Sequence, residues 1–243
     1  MKIEVDLHVH TIASGHAFST LTEVCRAARE KGLKGIAILD HGPALPGGAH
    51  EYYFSNLVAL PDEIFDIRVF KGAEANIVNE KGQLDISDFT LDLLEFVGIS
   101  FHPACGYDPG PKAKNTETLI RAMENPGVRM VCHPNVPGFE VDLKAVVEAA
   151  IDKGVLIEIN NYSFNENSFR YPSLEENLRL IEICAEMNCP VALNSDAHYH
   201  VFVGDVSGAS YYLKKQGFPE ELIVNSRLEI FEAYLYRFLR EER

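Results

Sequence analysis

The sequence predicts an α/β fold in which β–α units wind around a parallel sheet. Three observations lead there. Seven short apolar, β-rich runs recur, at about 2–7, 34–39, 67–73, 96–101, 129–132, 155–160 and 190–195, and helical patterns separate most of them. The length, 243 residues, is enough for one domain with a full core, spanning 1–243. Seven of the nine histidines lie in the stretches that follow the runs. In a parallel sheet all those strand ends share one face, and that face hosts the active site.

The first run, Ile3-Glu-Val-Asp-Leu7, alternates apolar and polar residues as a short strand does. His8 and His10 follow two residues apart, so in extended chain they project to one side and can share a divalent ion. His16 sits on the loop beyond Ser14-Gly15. Thr20-Leu-Thr-Glu23 has capping-box spacing, and Gly32 stops the helix it opens. The second run is a buried strand ending in Asp40-His41, followed by a Gly/Pro loop over 42–48. Residues 52–64 read as an irregular helix with Pro61 at a break or a first turn.

The third run leads into Glu74-Ala-Asn76 and the fourth into His102-Pro103. After a Gly/Pro loop carrying Lys112 and Lys114, Asn115 or Thr116 is the expected cap of a helix that Asn125-Pro126-Gly127 ends. The fifth run ends in His133-Pro134. Asp142 caps a helix with an apolar stripe from Leu143 to Ile151, and Gly154 stops it. The sixth run ends in Asn160-Asn161, Ser173-Leu-Glu-Glu176 offers a second capping box, and the seventh run ends in Asp196-Ala-His198. The remainder, about 205–243, has a helical pattern and is expected to close or cover the sheet.

Nine side chains able to bind metal therefore converge: His8, His10, His16, His41, Glu74, His102, His133, Asp196 and His198. A histidine or carboxylate at one strand end has ordinary structural uses; nine of them on one face do not. Nine N/O donors exceed one tetrahedral ion and fit two or three divalent ions, with Glu74 a natural bridge. Imidazole and carboxylate without thiolate suit Zn²⁺, Mn²⁺, Fe²⁺ or Ni²⁺. Cys132 precedes His133 and by strand alternation points to the other face, so it is left out. Asp6 and Asp40 are placed behind the ligands as orienting groups. Asn76, Asn160 and Asn161 should face the cleft, while Lys112, Lys114 and Arg170 are candidates for gripping an anionic substrate, although each reads more simply as solvated surface charge.

Composition narrows the classes. Apolar content of 47% and charged content of 24% are ordinary for a globular chain, and no stretch reaches membrane-spanning length. The start carries no signal-peptide pattern, and five scattered cysteines read as reduced thiols. A cytoplasmic protein is expected. A net charge of −14 argues against nucleic-acid partners but not against a small anionic substrate.

In combination, Asp-Leu-His-Val-His at 6–10, Asp-His-Gly-Pro at 40–43, Glu-Ala-Asn at 74–76, His102, His-Pro at 133–134, Ile-Asn-Asn at 159–161 and Ser-Asp-Ala-His at 195–198 resemble the polymerase-and-histidinol-phosphatase (PHP) superfamily, most nearly its stand-alone YcdX-like phosphatase branch. The resemblance implies a distorted seven-stranded, TIM-like (β/α) barrel and a trinuclear, usually zinc, centre. Carried over by motif, one ion takes His8, His10, Glu74 and Asp196. A second shares Glu74 and takes His102 and His133, and a third takes His16, His41 and His198. A homotrimer would agree with that branch.

The leading expectation is hydrolysis of a small phosphate monoester: water between two ions that share Glu74 loses a proton near neutral pH and attacks phosphorus, and the third ion offsets phosphate charge. Asn161 joins Asp6 and Asp40 as a candidate catalytic residue. One rival is a phosphodiesterase or exonuclease. A second is an amidohydrolase, disfavoured because strand four ends in His102 and not in a bridging lysine. A non-catalytic metal-binding regulatory domain is the alternative of another class.

Overall fold

The computed structural model describes residues 1–125 and 127–241, so Pro126 and the last two residues of the predicted C-terminal helical stretch lie outside the described residues. Among the described residues eight strands form: β1 (Val5–Val9), β2 (Gly35–Ile38), β3 (Glu63–Ile64), β4 (Ile67–Asn76), β5 (Phe96–Ser100), β6 (Val128–Val131), β7 (Leu156–Asn160) and β8 (Val191–Asn194). Seven of them run parallel in the order β1-β2-β4-β5-β6-β7-β8 and curl into a nearly closed barrel, while β3 pairs antiparallel with β4. The helices are α1 (Leu21–Glu30), α2 (Glu51–Ser55), α3 (Asp88–Leu91), α4 (Lys112–Ala122), α5 (Leu143–Lys153), α6 (Leu174–Glu186), α7 (Ser207–Lys215) and α8 (Leu228–Glu241).

Strand alternation divides the core in two. Val5, Leu7, Ala37, Leu39, Phe70, Phe96, Met130, Leu156 and Ala192 fill the barrel interior, and Phe231 and Leu235 of α8 join them. The Phe231 ring meets Phe70 and Phe96 edge-on at 4.9 and 5.5 Å, so α8 plugs the barrel. The other strand face packs Val69, Ile99, Val131, Ile157 and Leu193 against the helices. Following the interior rows toward the strand C-termini, Phe70 gives way to Glu74 and Asn76, Phe96 to His102, Leu156 to Glu158 and Asn160, and Ala192 to Asn194 and Asp196. The same pleat thus builds an apolar lower barrel and a polar mouth. Gly98 lies on this inner row, where a Cβ would stand 2.5 Å from Cys132 Sγ.

The capping box at Thr20 and the Asp142 cap form as expected, the latter accepting from the Lys144 and Ala145 N–H groups. Other local expectations are corrected. The irregular helix over 52–64 stops early: after α2 and a 3₁₀ turn to Ala59, the chain makes the β3–β4 hairpin, whose turn residues Phe65 and Asp66 both take positive φ. A tight hairpin turn needs that backbone, and without Gly or Asn the sequence carried no cue for it. α4 starts at Lys112, so Asn115 and Thr116 are inside it and not at its cap. Asn115 instead receives the Tyr107 hydroxyl and the Gly110 N–H, tying down the preceding loop. Ser173 makes no side-chain cap, because the 3₁₀ turn Tyr171–Ser173 runs directly into α6.

The barrel has a seam between β1 and β8. Among the described residues, the β-bridge across it joins Val9 of β1 to Ala197, three residues past the end of β8. Below it one side chain does the work of a strand. The Asn225 carboxamide donates to Val5 O and Leu193 O and accepts from Leu193 N–H, at 2.7–3.0 Å. Asn194 adds an acceptor for Leu7 N–H. Asn225→Ala would leave three buried backbone groups unpaired, at roughly 1–3 kcal/mol each. A loss of about 3 kcal/mol or more, or roughly 6–12 °C in Tm, is expected in thermal unfolding.

Candidate metal centre

All nine predicted donors come together at the barrel mouth. β1 carries His8 within the strand, because the strand runs to Val9 and not to Leu7 as the alternation suggested. A register shift against β2 between Asp6 and Val9 lets Leu7 keep to the barrel interior while His8 faces the mouth. β4 likewise extends to Asn76 and presents Glu74 from within the ladder. His133 and Asp196 have φ of +27° and +56°, so both strand ends break sharply, and at His133 the break brings inward a side chain that alternation after Met130 and Cys132 would send outward.

Glu74 is at the middle and fully buried. Its Oε2 lies 3.3 Å from His8 Nε2, 3.6 Å from His10 Nε2 and 2.9 Å from His41 Nδ1. Its Oε1 lies 2.7 Å from His133 Nε2 and 3.6 Å from His102 Nε2. Asp196 Oδ1 is 3.2 Å from His10 Nε2 and 3.6 Å from His8 Nε2. Pairs of ring nitrogens approach each other, His8 to His10 and His16 to His198, each at 3.0 Å. Burial closes the cluster except at its rim, where His16 is exposed and His198 part-exposed.

The cluster's own polar atoms fit cations. His41 Nδ1, both Glu74 oxygens, His102 Nε2, both His133 nitrogens and Asp196 Oδ1 are buried and have no hydrogen-bond partner. Buried polar atoms are rarely left so, and with His133 Nε2 as the nitrogen that faces Glu74, the unpaired atoms around that carboxylate fit metal ions. Five rings present Nε2 inward and hold Nδ1 against an oxygen: His8 on Glu158, His10 on Ser14 Oγ, His102 on Asn76 Oδ1, His16 on Ser14 O and His198 on Asp196 O. Such contacts fix which nitrogen keeps its lone pair for a cation.

The supporting groups divide into those anticipated and those missed. Asp40 accepts from Thr11, Ser14 Oγ and the Tyr53 hydroxyl, and so reaches His10 through Ser14. Burial, and then Asp40 itself, push the Tyr53 phenol far above its ordinary range. Asp6 touches no imidazole ring. It ties Ser195 and Gly204 to β1 and receives the His8 backbone N–H, a role in closing the seam. Asn161 does not face the cleft: its Oδ1 accepts from Ala209 N–H in the first turn of α7. Asn160 does face it, donating to Asp196 Oδ2, while Asn76 is held behind His102 by Asp85. Lys112 and Lys114 are at the surface on α4, Lys114 paired with Glu80. Arg170 departs from the surface reading: it is 4% exposed, and its guanidinium meets Asp196 Oδ2 at 2.6 Å. The Tyr162 and Phe169 rings lie within 5.7 Å of it.

Cys132 continues the interior row of Met130, the positive φ at His133 brings that ring to the same side, and the thiol comes near His8 and Glu158. Burial raises its pKa well above the ordinary thiol value. Glu158, Asp85, Tyr53 and Ser14 were not anticipated. Only Glu158 left a visible signal, as an acidic residue on the inner row of an otherwise apolar strand.

Electrostatics follow from this crowding. Burial raises Glu74, but His41, His102, His8 and His133 outweigh it and hold the carboxyl well below its usual range. Asp196 is likewise held low by Arg170 and His8 against burial. Burial, reinforced by neighbouring histidines, lowers His10 and His102 well below 6.5, and burial also lowers His16 and His198. For these four the unfolded chain takes up protons at higher pH than the folded one. Their contribution is present above 6.5 and lost as pH falls toward the folded values. His8 has the opposite sign in the metal-free chain, since Glu158 and Asp196 overcome its burial and raise it above 6.5. The metal-free protein should therefore show a falling Tm between pH 7 and 5, read by scanning calorimetry with chelator present.

Comparison with known proteins agrees with this geometry. The PHP domain family model matches residues 6–134. A protein of Syntrophotalea carbinolica curated as a probable phosphatase is 41% identical over 230 residues, covering 94% of each chain. One from Caldicellulosiruptor saccharolyticus, also a probable phosphatase, is 41% identical over 97% of each chain. Among solved structures, histidinol phosphate phosphatase from Lactococcus lactis, in complex with zinc, L-histidinol and phosphate, superposes with a TM-score of 0.63. It shares 17% identity and covers 90% of this chain and 95% of its own, a likeness of fold. The chain belongs to the PHP domain family. Its full-length relatives place it among that family's phosphatases. Among the described residues no helix is long and apolar enough to cross a membrane.

Proposed function

We propose that this enzyme hydrolyses small-molecule phosphomonoesters at a centre of three divalent ions, with zinc the fitting metal. The observation that carries the reading is Glu74, whose two oxygens face two different histidine groups across one buried carboxylate. His8, His10, Glu74 and Asp196 would hold one ion, Glu74, His102 and His133 a second, and His16, His41 and His198 a third. The donor set of imidazole and carboxylate supports zinc, as does the zinc in the Lactococcus lactis structure. Bound there, the ions would lower the pKa of water and offset phosphoryl charge.

The chain's own residues do the rest. Arg170 brings a buried positive charge to the edge of the cluster, held in place by Asp196 Oδ2, and this favours an anionic group beside it. The rim at His16 and His198 is where a phosphate end can enter, leaving the alcohol portion outside. The buried interior of the cluster excludes bulk water from the reacting groups. Five buried, unpaired cysteines fit work in the cytoplasm.

Phosphate release from a panel of phosphomonoesters, with Zn²⁺ or Mn²⁺ supplied, tests the reading. Wild-type release that disappears in the His8→Ala/His10→Ala double variant is expected. Arg170→Ala should lower kcat/KM on the order of 10²-fold with metal content retained. Release from diesters alone, or from neither ester class by fully metallated protein, would overturn the proposal.

A further inference from the structure

We propose that Glu158 is a positioning residue of the metal centre, one buried side chain that fixes the His8 ring and the His133 backbone together. The inference rests on the metal-centre reading above. Glu158 lies on β7, 1% exposed, with two partners on each oxygen. Oε1 meets His8 Nδ1 at 2.7 Å and Asn194 Nδ2 at 2.9 Å. Oε2 receives the His133 N–H at 2.8 Å and Asn160 Nδ2 at 2.9 Å.

Three of these partners can only donate. A backbone N–H has no other role. The two carboxamides are locked in orientation by their far ends: Asn194 Oδ1 accepts Leu7 N–H, and Asn160 Oδ1 accepts Tyr162 N–H. Neither amide can rotate to offer an acceptor without losing those bonds. Protonated on Oε2, Glu158 would aim its O–H at a donor; on Oε1 the one partner able to accept is His8 Nδ1, and imidazole is the stronger base of that pair, so the shared proton belongs on the ring. The fourth partner, His8, must then carry a proton on Nδ1, which turns the Nε2 lone pair toward Glu74 and Asp196.

The same carboxylate acts on two further donors. Through the His133 N–H it holds the left-handed turn that brings the His133 ring onto Glu74. Through Asn160, which donates to both Glu158 and Asp196, it is joined to the opposite side of the cluster. The barrel alone gains nothing from a charge here. Leu156, two residues earlier on the same row, shows that an apolar side chain suits the interior, and a buried ion is a poor source of stability.

The test is Glu158→Gln, which keeps shape but sets an NH₂ against groups that donate. In the folded variant, checked by circular dichroism, zinc affinity measured by chelator competition should fall about 10–100-fold. A purely structural role would lower Tm equally with and without metal and leave zinc affinity unchanged, and that result would overturn the proposal. Should the variant not fold, the zinc-loaded wild type decides. Nitrogen-15 spectra of its imidazoles should show His8 protonated at Nδ1 and bound through Nε2, whereas an unprotonated Nδ1 would overturn the proposal. Wild-type protein that takes up no zinc would overturn this inference and the proposed function together, while unaltered affinity in the variant overturns this inference alone.

Discussion

Glu74→Gln is expected to reduce phosphate release by several kcal/mol of barrier, on the order of 10³-fold, and to lower metal content with it. The reasoning is geometric. Each oxygen of Glu74 faces its own group of ring nitrogens, His8, His10 and His41 on one side and His102 and His133 on the other. An amide keeps one acceptor and turns the other end into a donor, so whichever way it sits, one group faces an NH₂ in place of an anion. The negative charge that offsets several cations in a buried space is lost as well. Side-chain volume is conserved, so the barrel should fold. Steady-state rates, elemental analysis of the purified protein and its far-UV spectrum check these points together. Wild-type metal content in the variant would show that Glu74 is no bridge.

The second large effect is expected on removing metal. Seven buried polar atoms without hydrogen-bond partners belong to the cluster, and two pairs of ring nitrogens, His8 with His10 and His16 with His198, face one another at 3.0 Å. Ions that bind only the folded chain stabilise it by mass action, about 4 kcal/mol for a single site at a thousandfold excess over Kd. For a chain of this size that corresponds to roughly 8–16 °C. Dialysis against a strong chelator should therefore lower Tm by about 10 °C or more, and adding back Zn²⁺ should restore it. A Tm indifferent to chelator would contradict a centre built into the fold.

Much of this site was legible because its donors are local to strand ends, and strand ends announce themselves through apolar runs. His41, Glu74, His102, His133 and Asp196 needed only a strand boundary and the rule that parallel strands end on one face. The supporting groups depend on distant partners and left little trace. Asp85 reaches His102 only through Asn76, and Tyr53 reaches Asp40 across a loop whose path no pattern revealed. Arg170 looked like a surface charge since nothing in a single sequence shows the carboxylate waiting for it. Asn161 was misassigned for a related reason. The 3₁₀ turn Asn161–Phe164 begins directly after β7, and this turns its side chain to α7 while Asn160 keeps the cleft. Cys132 keeps strand alternation on the row of Met130; His133, at positive φ, leaves its row, and so the two share a side.

The Asn225 seam bears on how the molecule is made. The first strand, which carries His8, is locked to the last by a residue 220 positions further along the chain. Contacts of such sequence separation form slowly, because a long loop must be ordered before they repay it. A growing polypeptide can pair β1 with β2 early, and the rim is complete in composition by His198, where Val9 meets Ala197 and Asp6 meets Ser195 across the seam. The strands below that level are not clasped until Asn225 is present. A truncation just before Asn225 would possess every ligand and still lack the clasp that joins Val5 to Leu193.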